Sequence, residues 1–175
     1  AGWVSDGASL QDWTRAILAH GSGRQDAVFL SLARKPEADL PALAELYAAY
    51  LPSAGRALEA AELGRGFGTL TDPKAPLLPY VLALGRETAR LDIPEAEILA
   101  FYLQSLAAQL ISVAVRFLPL GQGEGQRVLA ALAPTIAETA RAATGASEDD
   151  LWTFTPGADI AAMAQGTMET RIFRS

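Results

Sequence analysis

Apolar residues along this chain recur mainly at spacings of three and four positions, and stretches that alternate apolar with polar residues are hard to find. Such spacing places side chains on one face of an α-helix, whereas a half-buried strand alternates at every second position. Leu10, Trp13, Ile17 and Leu18 show the helical spacing in the first part of the chain. We therefore predict an all-α fold, a single-domain bundle of about eight helices.

Capping and turn residues indicate where these helices begin and end. Ser9 is the expected N-cap of the first helix, with Asp12 as a weak capping-box partner, and Gly21 is expected to end it in a left-handed conformation. Proline and glycine mark most of the other boundaries. The further helices are predicted at about 23–34, 41–51, from 53, 79–91, 94–117, 123–143 and from 156.

Three of the predicted helices have an unusual composition. Gly64, Gly66 and Gly68 should fray the helix that begins near 53, because glycine weakens helices. Pro134 lies inside the helix predicted at 123–143 and is expected to kink it. The helix at 94–117 is so apolar that it leaves little polar face, so we expect it in the middle of the bundle.

Charge and composition exclude several functional classes. The 175 residues include 14 basic and 20 acidic side chains, so the net charge is 14 − 20 = −6. An acidic chain is a poor candidate for binding nucleic acid or an anionic membrane, since both are negative. We find no apolar run long enough to predict a membrane span and no signal peptide. Cysteine is absent, which excludes disulfides and thiolate chemistry and is compatible with a reducing cytosol.

Candidate metal-binding and catalytic residues are few. The single histidine, His20, is expected to be partly exposed at the end of the first helix, rather than catalytic or metal-binding. No histidine or cysteine cluster is present, so we predict no metal site of the protein's own. Glu148, Asp149 and Asp150 are interpreted as a solvated acidic turn. A hydrolase that uses two facing carboxylates is an alternative, but no spacing selects a pair.

A glycine-rich stretch, FLPLGQGEGQRVLAAL at residues 117–132, raises the possibility of a phosphate-binding loop. A Walker loop requires GxxxxGK[ST] after a strand, and a dinucleotide fingerprint requires GxGxxG within a βαβ unit. Neither pattern is present, so we interpret the stretch as a tight turn between helices. Gly123 and Gly125 would let another backbone approach closely. The polar residues Gln122, Gln126 and Arg127 surround these glycines, which indicates an exposed surface at this turn.

The chain ends in an unusual tail. Most termini are small, polar and frayed, but this one ends TRIFRS, with two arginines around an Ile-Phe pair. Arginine and aromatic residues are enriched at binding hot spots. The tail is therefore predicted either to dock on its own domain or to insert into a partner.

Several of these segments together resemble the UreF family of urease accessory proteins. They are PLGQGEGQRVLAAL preceded by AAQLISVAVRF, the terminal RIFRS, HGSGRQDAVFL at residues 20–30, and WVSDGASLQDW before it. The resemblance covers essentially the whole chain. It implies an all-α cytoplasmic protein, one domain over residues 1–175, that forms a homodimer and is not itself an enzyme.

The resemblance also implies partners. A UreF-like protein bridges a UreD/UreH-type accessory protein and the GTPase UreG, and the assembly delivers nickel to the urease apoprotein. Regulation of GTP hydrolysis by the partner is a further implied role. Nickel would be handled transiently by the complex, with no cofactor bound tightly.

Site residues follow by position within the matching motifs. The tail at 166–175 would dock on the UreD/UreH-type partner through its last five residues, which are Arg171, Ile172, Phe173, Arg174 and Ser175. The region around the PLGQ turn would contact the GTPase or line a nickel tunnel. Its residues are Arg116, Gln122, Gln126 and Arg127.

Two departures from the family pattern accompany the resemblance. The chain starts after the SYSHGLE-like segment with which the family usually begins, so we expect one N-terminal element to be missing. The family's RHE stretch before the tail reads Ala164-Gln165-Gly166 here, and no role of that His-Glu pair is carried over. A generic helical adaptor with unrelated partners remains the alternative function.

Overall fold

The computed structural model describes residues 4–165, and every regular element within that range is helical. The all-α prediction is confirmed. Nine α-helices and one 3₁₀ turn occur among these residues. They are α1 (Gly7–His20), α2 (Ser22–Ala33), α3 (Leu40–Tyr50), α4 (Ala54–Thr71), α5 (Tyr80–Thr88), α6 (Glu95–Phe117), α7 (Gln122–Ala131), α8 (Ala133–Ala143), the 3₁₀ turn (Glu148–Asp150) and α9 (Pro156–Gln165).

The chain divides into two compact units. Unit 1 contains the residues up to Val28 together with Ile93–Phe154, and unit 2 contains Phe29–Asp92 together with the residues from Thr155 onward. The chain passes from the first unit to the second within α2. The expectation of one domain over residues 1–175 stays a prediction.

Unit 1 is built around α6, which packs against α1, α7 and α8. Its core is formed by leucines and isoleucines at helical spacing on these four helices. Leu18, Leu99, Leu103 and Leu132 are completely buried, as the apolar stripes of the sequence require. Packing these stripes together provides most of the stabilisation of the unit, because burying each such side chain contributes about 1.5–3 kcal/mol.

Unit 2 packs α5 against both α3 and α4. Phe29 is fully buried and meets Tyr47 edge to face, with ring centroids 4.9 Å apart. Gly64 faces the backbone at Leu78, and a Cβ at Gly64 would overlap the Leu78 carbonyl and lie 2.9 Å from the amide nitrogen of Tyr80. This glycine is therefore needed for the close contact between α4 and the segment before α5.

The start of α1 differs from the prediction. Asp6, not Ser9, is the N-cap, and its side chain accepts a hydrogen bond of 2.8 Å from the amide of Ser9. The backbone amide of Ser9, followed by the Ser9 hydroxyl, lowers the pKa of Asp6 from its usual value of 3.8. Gly21 ends the helix as predicted, but with φ of −117° rather than in the left-handed region.

Two irregularities that the sequence predicted within helices also differ from the structure. The helix α4 continues through Gly64 to Thr71 without fraying, since Gly64 is packed and the rest of the helix supports it. Pro134 does more than kink a helix, because the chain breaks at Leu132 into α7 and α8. Proline is tolerated in the first turn of α8, where its missing N–H would have had no helical partner. This break raises the helix count from about eight to nine.

One helix among the described residues, α6, is long and apolar enough to cross a membrane by length and composition. This is weak evidence, because the core helix of a soluble protein passes the same test. In unit 1, α6 packs on three other helices and buries five residues, which are Ile98, Leu99, Leu103, Ala107 and Ile111. The helix α6 therefore contributes one side to the core of unit 1, while most of its residues are not fully buried.

Candidate functional site

The glycine-rich stretch forms the end of α6, a short turn and the start of α7. The amide of Leu118 donates to the Ala114 carbonyl at 2.8 Å and closes α6, and the amide of Leu120 donates to the Leu118 carbonyl at 2.7 Å within the turn. Gly121 precedes α7 with φ of −77° and ψ of 154°, a conformation that any residue adopts. The stretch is thus an inter-helix turn, as the sequence predicted.

The three glycines of this stretch have different surroundings. A methyl group added at Gly125 would lie 2.9 Å from Val115 Cγ2 and 3.2 Å from Ile111 Cγ2, so α7 approaches α6 closely there. A methyl group added at Gly121 or Gly123 would meet no atom of the described chain within 4 Å. The predicted close approach is confirmed at Gly125, although its neighbours are side chains rather than backbone, and it is wrong at Gly123.

The solvent-facing half of α7 carries the polar residues selected from the sequence. Gln122, Gln126 and Arg127 are exposed, and so is Gly123 between them. The opposite half is buried through Gly125 and Val128. The structure therefore places the three predicted polar residues on one continuous surface.

Arg116 lies on α6, ahead of the turn, and is also exposed. Within residues 4–165, neither Arg116 nor Arg127 forms an ion pair. Both guanidinium groups are therefore available to a negatively charged partner.

The exposed stripe of α6 runs along the helix to Arg116. Phe101, Ser105, Gln109 and Ser112 recur every three or four residues and are exposed, as Arg116 is. Phe101 is 67% exposed, and the neighbouring Val113 and Phe117 are 40% and 57% exposed. The expectation that α6 lies in the middle of a bundle is thus correct for one side of the helix and wrong for this stripe.

The second motif, HGSGRQDA, forms the corner between α1 and α2. Gly21 and Gly23 are buried, and a Cβ at Gly23 would lie 2.8 Å from the Cα of Leu18. Asp26, which is 2% exposed, accepts a hydrogen bond of 2.6 Å from the Tyr102 hydroxyl of α6. The glycines therefore allow a tight corner, and Asp26 connects it to α6.

Arg24 and His20 of the same corner contact Trp152. The Arg24 guanidinium carbon lies 4.1 Å from the centre of the Trp152 ring, and the His20 ring stacks on Trp152 with centroids 6.2 Å apart. Arg24 also donates a hydrogen bond to the Asp150 carbonyl. Burial lowers the pKa of Arg24, and the charge of Asp150 opposes that shift. Arg24 nevertheless stays protonated, since arginine titrates far above neutral pH.

Comparison with known proteins supplies the family. The family model described as UreF matches residues 4–133. A urease accessory protein UreF of Cereibacter sphaeroides strain KD131 is 44% identical over 99% of this chain and 84% of its own length. A urease accessory protein UreF of Paracoccus denitrificans is 45% identical over 96% of this chain and 80% of its own length. The chain belongs to the UreF family.

The UreF match includes both motifs described above. Residues 4–133 contain the HGSGRQDA corner, all of α6 and all of α7. A more distant relative, a urease accessory protein UreF of Jannaschia sp., is 37% identical over 99% of this chain. The resemblance inferred from the motifs is therefore confirmed for the chain as a whole.

The tail of this UreF chain lies outside the described residues. Arg171, Ile172, Phe173, Arg174 and Ser175 all belong to it, so their assignment to a UreD/UreH-type partner stays a prediction. The same holds for the whole docking segment at 166–175.

Acidic residues do not assemble into a metal centre in the described part of this UreF chain. No group of three or more His, Asp or Glu side chains is placed there to share a metal ion. Glu148 and Asp149 are exposed, as predicted for a solvated turn, but Asp150 is half-buried and its carboxylate accepts hydrogen bonds from the amide and hydroxyl of Ser147. A cavity of about 70 Å³ in unit 2 is lined by one carboxylate, Asp72, together with Arg86 and mainly apolar or glycine residues. Two facing carboxylates, which the hydrolase alternative requires, are not found in this cavity.

Sequence reasoning missed the roles of Arg24 and Asp26 and gave Trp152 only a general interpretation as a core or interface anchor. The HGSGRQDA stretch was a signal for the first two, since it resembled the family. Trp152 lies more than 120 positions away from that stretch, and nothing local to it indicates its partners.

Proposed function

We propose that this UreF chain is a non-enzymatic scaffold in urease maturation. It bridges a UreD/UreH-type accessory protein and the GTPase UreG, and it supports GTP-dependent delivery of nickel to the urease apoprotein in the cytoplasm. The observation that carries the proposal is membership of a family whose relatives bear the name urease accessory protein. The exposed polar residues of α7 support the proposed contact with the GTPase.

The exposed half of α7 is the proposed GTPase-facing surface. Gly123 is exposed on a helix, and no neighbour among residues 4–165 requires its small size, although glycine costs a helix about 1 kcal/mol relative to alanine. Close approach of a partner protein to this surface would explain why glycine occurs at position 123 in spite of that cost. Gln122 and Gln126 on either side can donate and accept hydrogen bonds, and Arg127 adds a positive charge.

The tail is the proposed contact with the UreD/UreH-type protein. Its composition supports this assignment, because Arg171 and Arg174 flank the apolar pair Ile172-Phe173. Arginine and aromatic side chains contribute disproportionately to binding energy when they are buried in an interface.

Nickel is proposed to be a cargo that the complex handles transiently. The whole chain contains no cysteine and one histidine, which are the side chains that hold nickel most tightly in proteins. Carboxylates and backbone carbonyls would coordinate nickel more weakly, as expected for a protein that passes the ion on rather than storing it.

A homodimer is proposed to form through the exposed stripe of α6. Phe101 lies on this stripe, and Val113 and Phe117 expose further large apolar side chains beside its C-terminal end. Apolar surface of this kind on a soluble protein is typical of an interface. Phe101→Ser with Phe117→Ser is expected to shift the protein from dimer to monomer in sedimentation equilibrium, whereas Leu91→Ser, at an exposed leucine in unit 2, is not.

The binding experiment uses the full chain with each purified partner in turn, and with nickel and GTP varied. Deletion of residues 171–175 is expected to abolish binding of the UreD/UreH-type protein while binding of the GTPase persists. An unchanged affinity after the deletion would contradict the tail assignment. Binding to neither partner would favour the alternative, a generic helical adaptor with unrelated partners.

Control of GTP hydrolysis is tested separately. Arg116 and Arg127 are exposed cations, and an arginine placed near transferring phosphates can accelerate hydrolysis. Arg116→Ala and Arg127→Ala are expected to change the GTP hydrolysis rate of the complex. Arg141→Ala is the matched control, because Arg141 is exposed on α8 and also forms no ion pair within the described chain. Equal rates in all three variants would exclude an inserted arginine while leaving the scaffold role intact.

A further inference from the structure

The proposed function does not use the HGSGRQDA motif, yet the structure gives this motif a specific set of contacts. We call residues 20–24 the α1–α2 corner and residues 150–154 the C-terminal strap. Both belong to unit 1. The strap is the last part of unit 1 before the chain continues into α9 and the tail.

Besides the stacking of His20 on Trp152, polar contacts hold the strap on the corner. The Arg24 guanidinium lies over the Trp152 ring at 4.1 Å and donates a hydrogen bond to the Asp150 carbonyl. The amide of Phe154 donates a hydrogen bond of 2.7 Å to the His20 carbonyl. A cation over an aromatic face and a charge-assisted hydrogen bond are both stronger than neutral contacts of similar size.

The side chains involved are not held there by deep burial. Trp152 is 44% exposed and Phe154 is 76% exposed. Hydrophobic burial therefore explains little of the position of residues 152–154, and the specific contacts with Arg24 and His20 must supply the rest.

The segment after the strap is α9, which packs on α4 within unit 2. From Pro156 to Ala164 no described side chain is buried, and Ile160 and Met163 are 61% and 55% exposed. Leu151 is the last buried residue of the described chain. Within unit 1, the strap is thus the part of the chain that lies closest in sequence to the tail.

We propose that the α1–α2 corner holds the C-terminal strap and thereby positions the C-terminal segment for its protein partner, with Arg24 and Trp152 as the positioning residues. This inference rests on the proposed function, since the partner is the UreD/UreH-type protein assigned to the tail. Holding a binding segment in place before its partner arrives reduces the ordering cost that association must overcome. Releasing the strap is therefore expected to raise that cost and to weaken binding of the partner.

The first measurement needs no partner. Hydrogen exchange of the full chain reports the Phe154 amide, which is protected by its bond to the His20 carbonyl. Trp152→Ala and Arg24→Ala are expected to accelerate exchange at Phe154, while amides in the middle of α6 keep their protection. Trp152→Phe retains an aromatic face for Arg24 and is expected to restore most of the protection. Unchanged exchange at Phe154 in both alanine variants would overturn the proposal.

The second measurement compares affinities for the two partners. Trp152→Ala and Arg24→Ala are expected to weaken binding of the UreD/UreH-type protein by about tenfold, which is about 1.4 kcal/mol. Binding of the GTPase should stay within about twofold, and Trp152→Phe should again restore the loss. Arg141→Ala is the control for removal of an exposed arginine elsewhere in unit 1.

The outcomes separate this proposal from the function it rests on. If deletion of residues 171–175 weakens partner binding and the Trp152 and Arg24 variants do not, the positioning role is wrong and the tail assignment stands. Equal losses for both partners would indicate a general structural defect and would also overturn the positioning role. If the intact chain does not bind the UreD/UreH-type protein, the proposed function fails and the positioning role fails with it.

Discussion

Replacing Gly125 with alanine tests the packing of α7 on α6 directly. The added methyl group would lie 2.9 Å from Val115 Cγ2, whereas ordinary contacts of this kind begin at 3.4 Å. Val115 and Ile111 are β-branched and hold essentially one side-chain rotamer in a helix, so neither methyl group can swing away. The overlap must be relieved by moving α7 away from α6.

The size of the effect follows from two opposing contributions. Overpacking of this kind costs about 1–3 kcal/mol. Alanine in place of glycine within a helix returns about 0.5–1 kcal/mol. We therefore expect Gly125→Ala to lower the free energy of unfolding by roughly 1 kcal/mol. The methyl group of Gly123→Ala would meet no atom of the described chain within 4 Å, so this variant is expected to raise the free energy of unfolding by about 0.4–1 kcal/mol.

Thermal and urea unfolding of the two variants provide the measurement. A difference of about 2 kcal/mol between them corresponds to about 4–8 °C in Tm for a chain of this size. Combining Gly125→Ala with Val115→Ala removes the overlap, so the double variant should be more stable than the sum of the single effects predicts. Equal stability of Gly125→Ala and Gly123→Ala would refute the reasoning, because it would mean that α7 does not pack tightly at this point.

Three further predictions concern other contacts. Gly64→Ala forces a methyl group against the Leu78 carbonyl and should destabilise the protein by about 2 kcal/mol or more in urea unfolding, since backbone atoms cannot rotate away. Tyr102→Phe removes one hydrogen bond to the buried Asp26 and should cost about 1.5–3 kcal/mol in the same assay; no measurable loss would argue against that bond. The capping hydrogen bonds lower the pKa of Asp6 below 3.8, so its stabilising contribution is complete above that pH and is lost as the pH falls through the lowered value. Wild type should therefore be more stable than Asp6→Asn above the usual pKa of 3.8 and lose this advantage progressively as the pH falls below it, and a pH-independent difference would contradict the titration argument.

Local sequence patterns predicted the presence of helices better than they predicted the residues at which the helices begin and end. The spacing of apolar residues predicted helix in every region that is helical, although α7 and α8 were expected as one helix, since the same spacing that forms a helical face also buries it. Pro134 was expected to kink one helix and instead separates α7 from α8, because the bend also lets α8 pack against α6. Asp6 caps α1 in place of Ser9, which shows that two capping residues in one turn can exchange roles at no cost to the pattern.

The candidate surface was predicted only in part. Gln122, Gln126 and Arg127 were selected from the sequence and do share the exposed half of α7. The sequence could not tell Gly123 from Gly125, because both are glycines in the first turn of the same helix. Their difference depends on which side of α7 meets Val115, and that is decided by how α6 and α7 pack.

The sequence by itself determined the all-α class, the family and the residue types presented at the turn and the tail. These depend on periodicity and on motifs that are contiguous in the chain. Only the tertiary structure decided that Arg24 meets Trp152 and that Tyr102 meets Asp26. Such pairs join residues far apart in the chain, and their contact is set by the packing of whole helices, which no local pattern encodes.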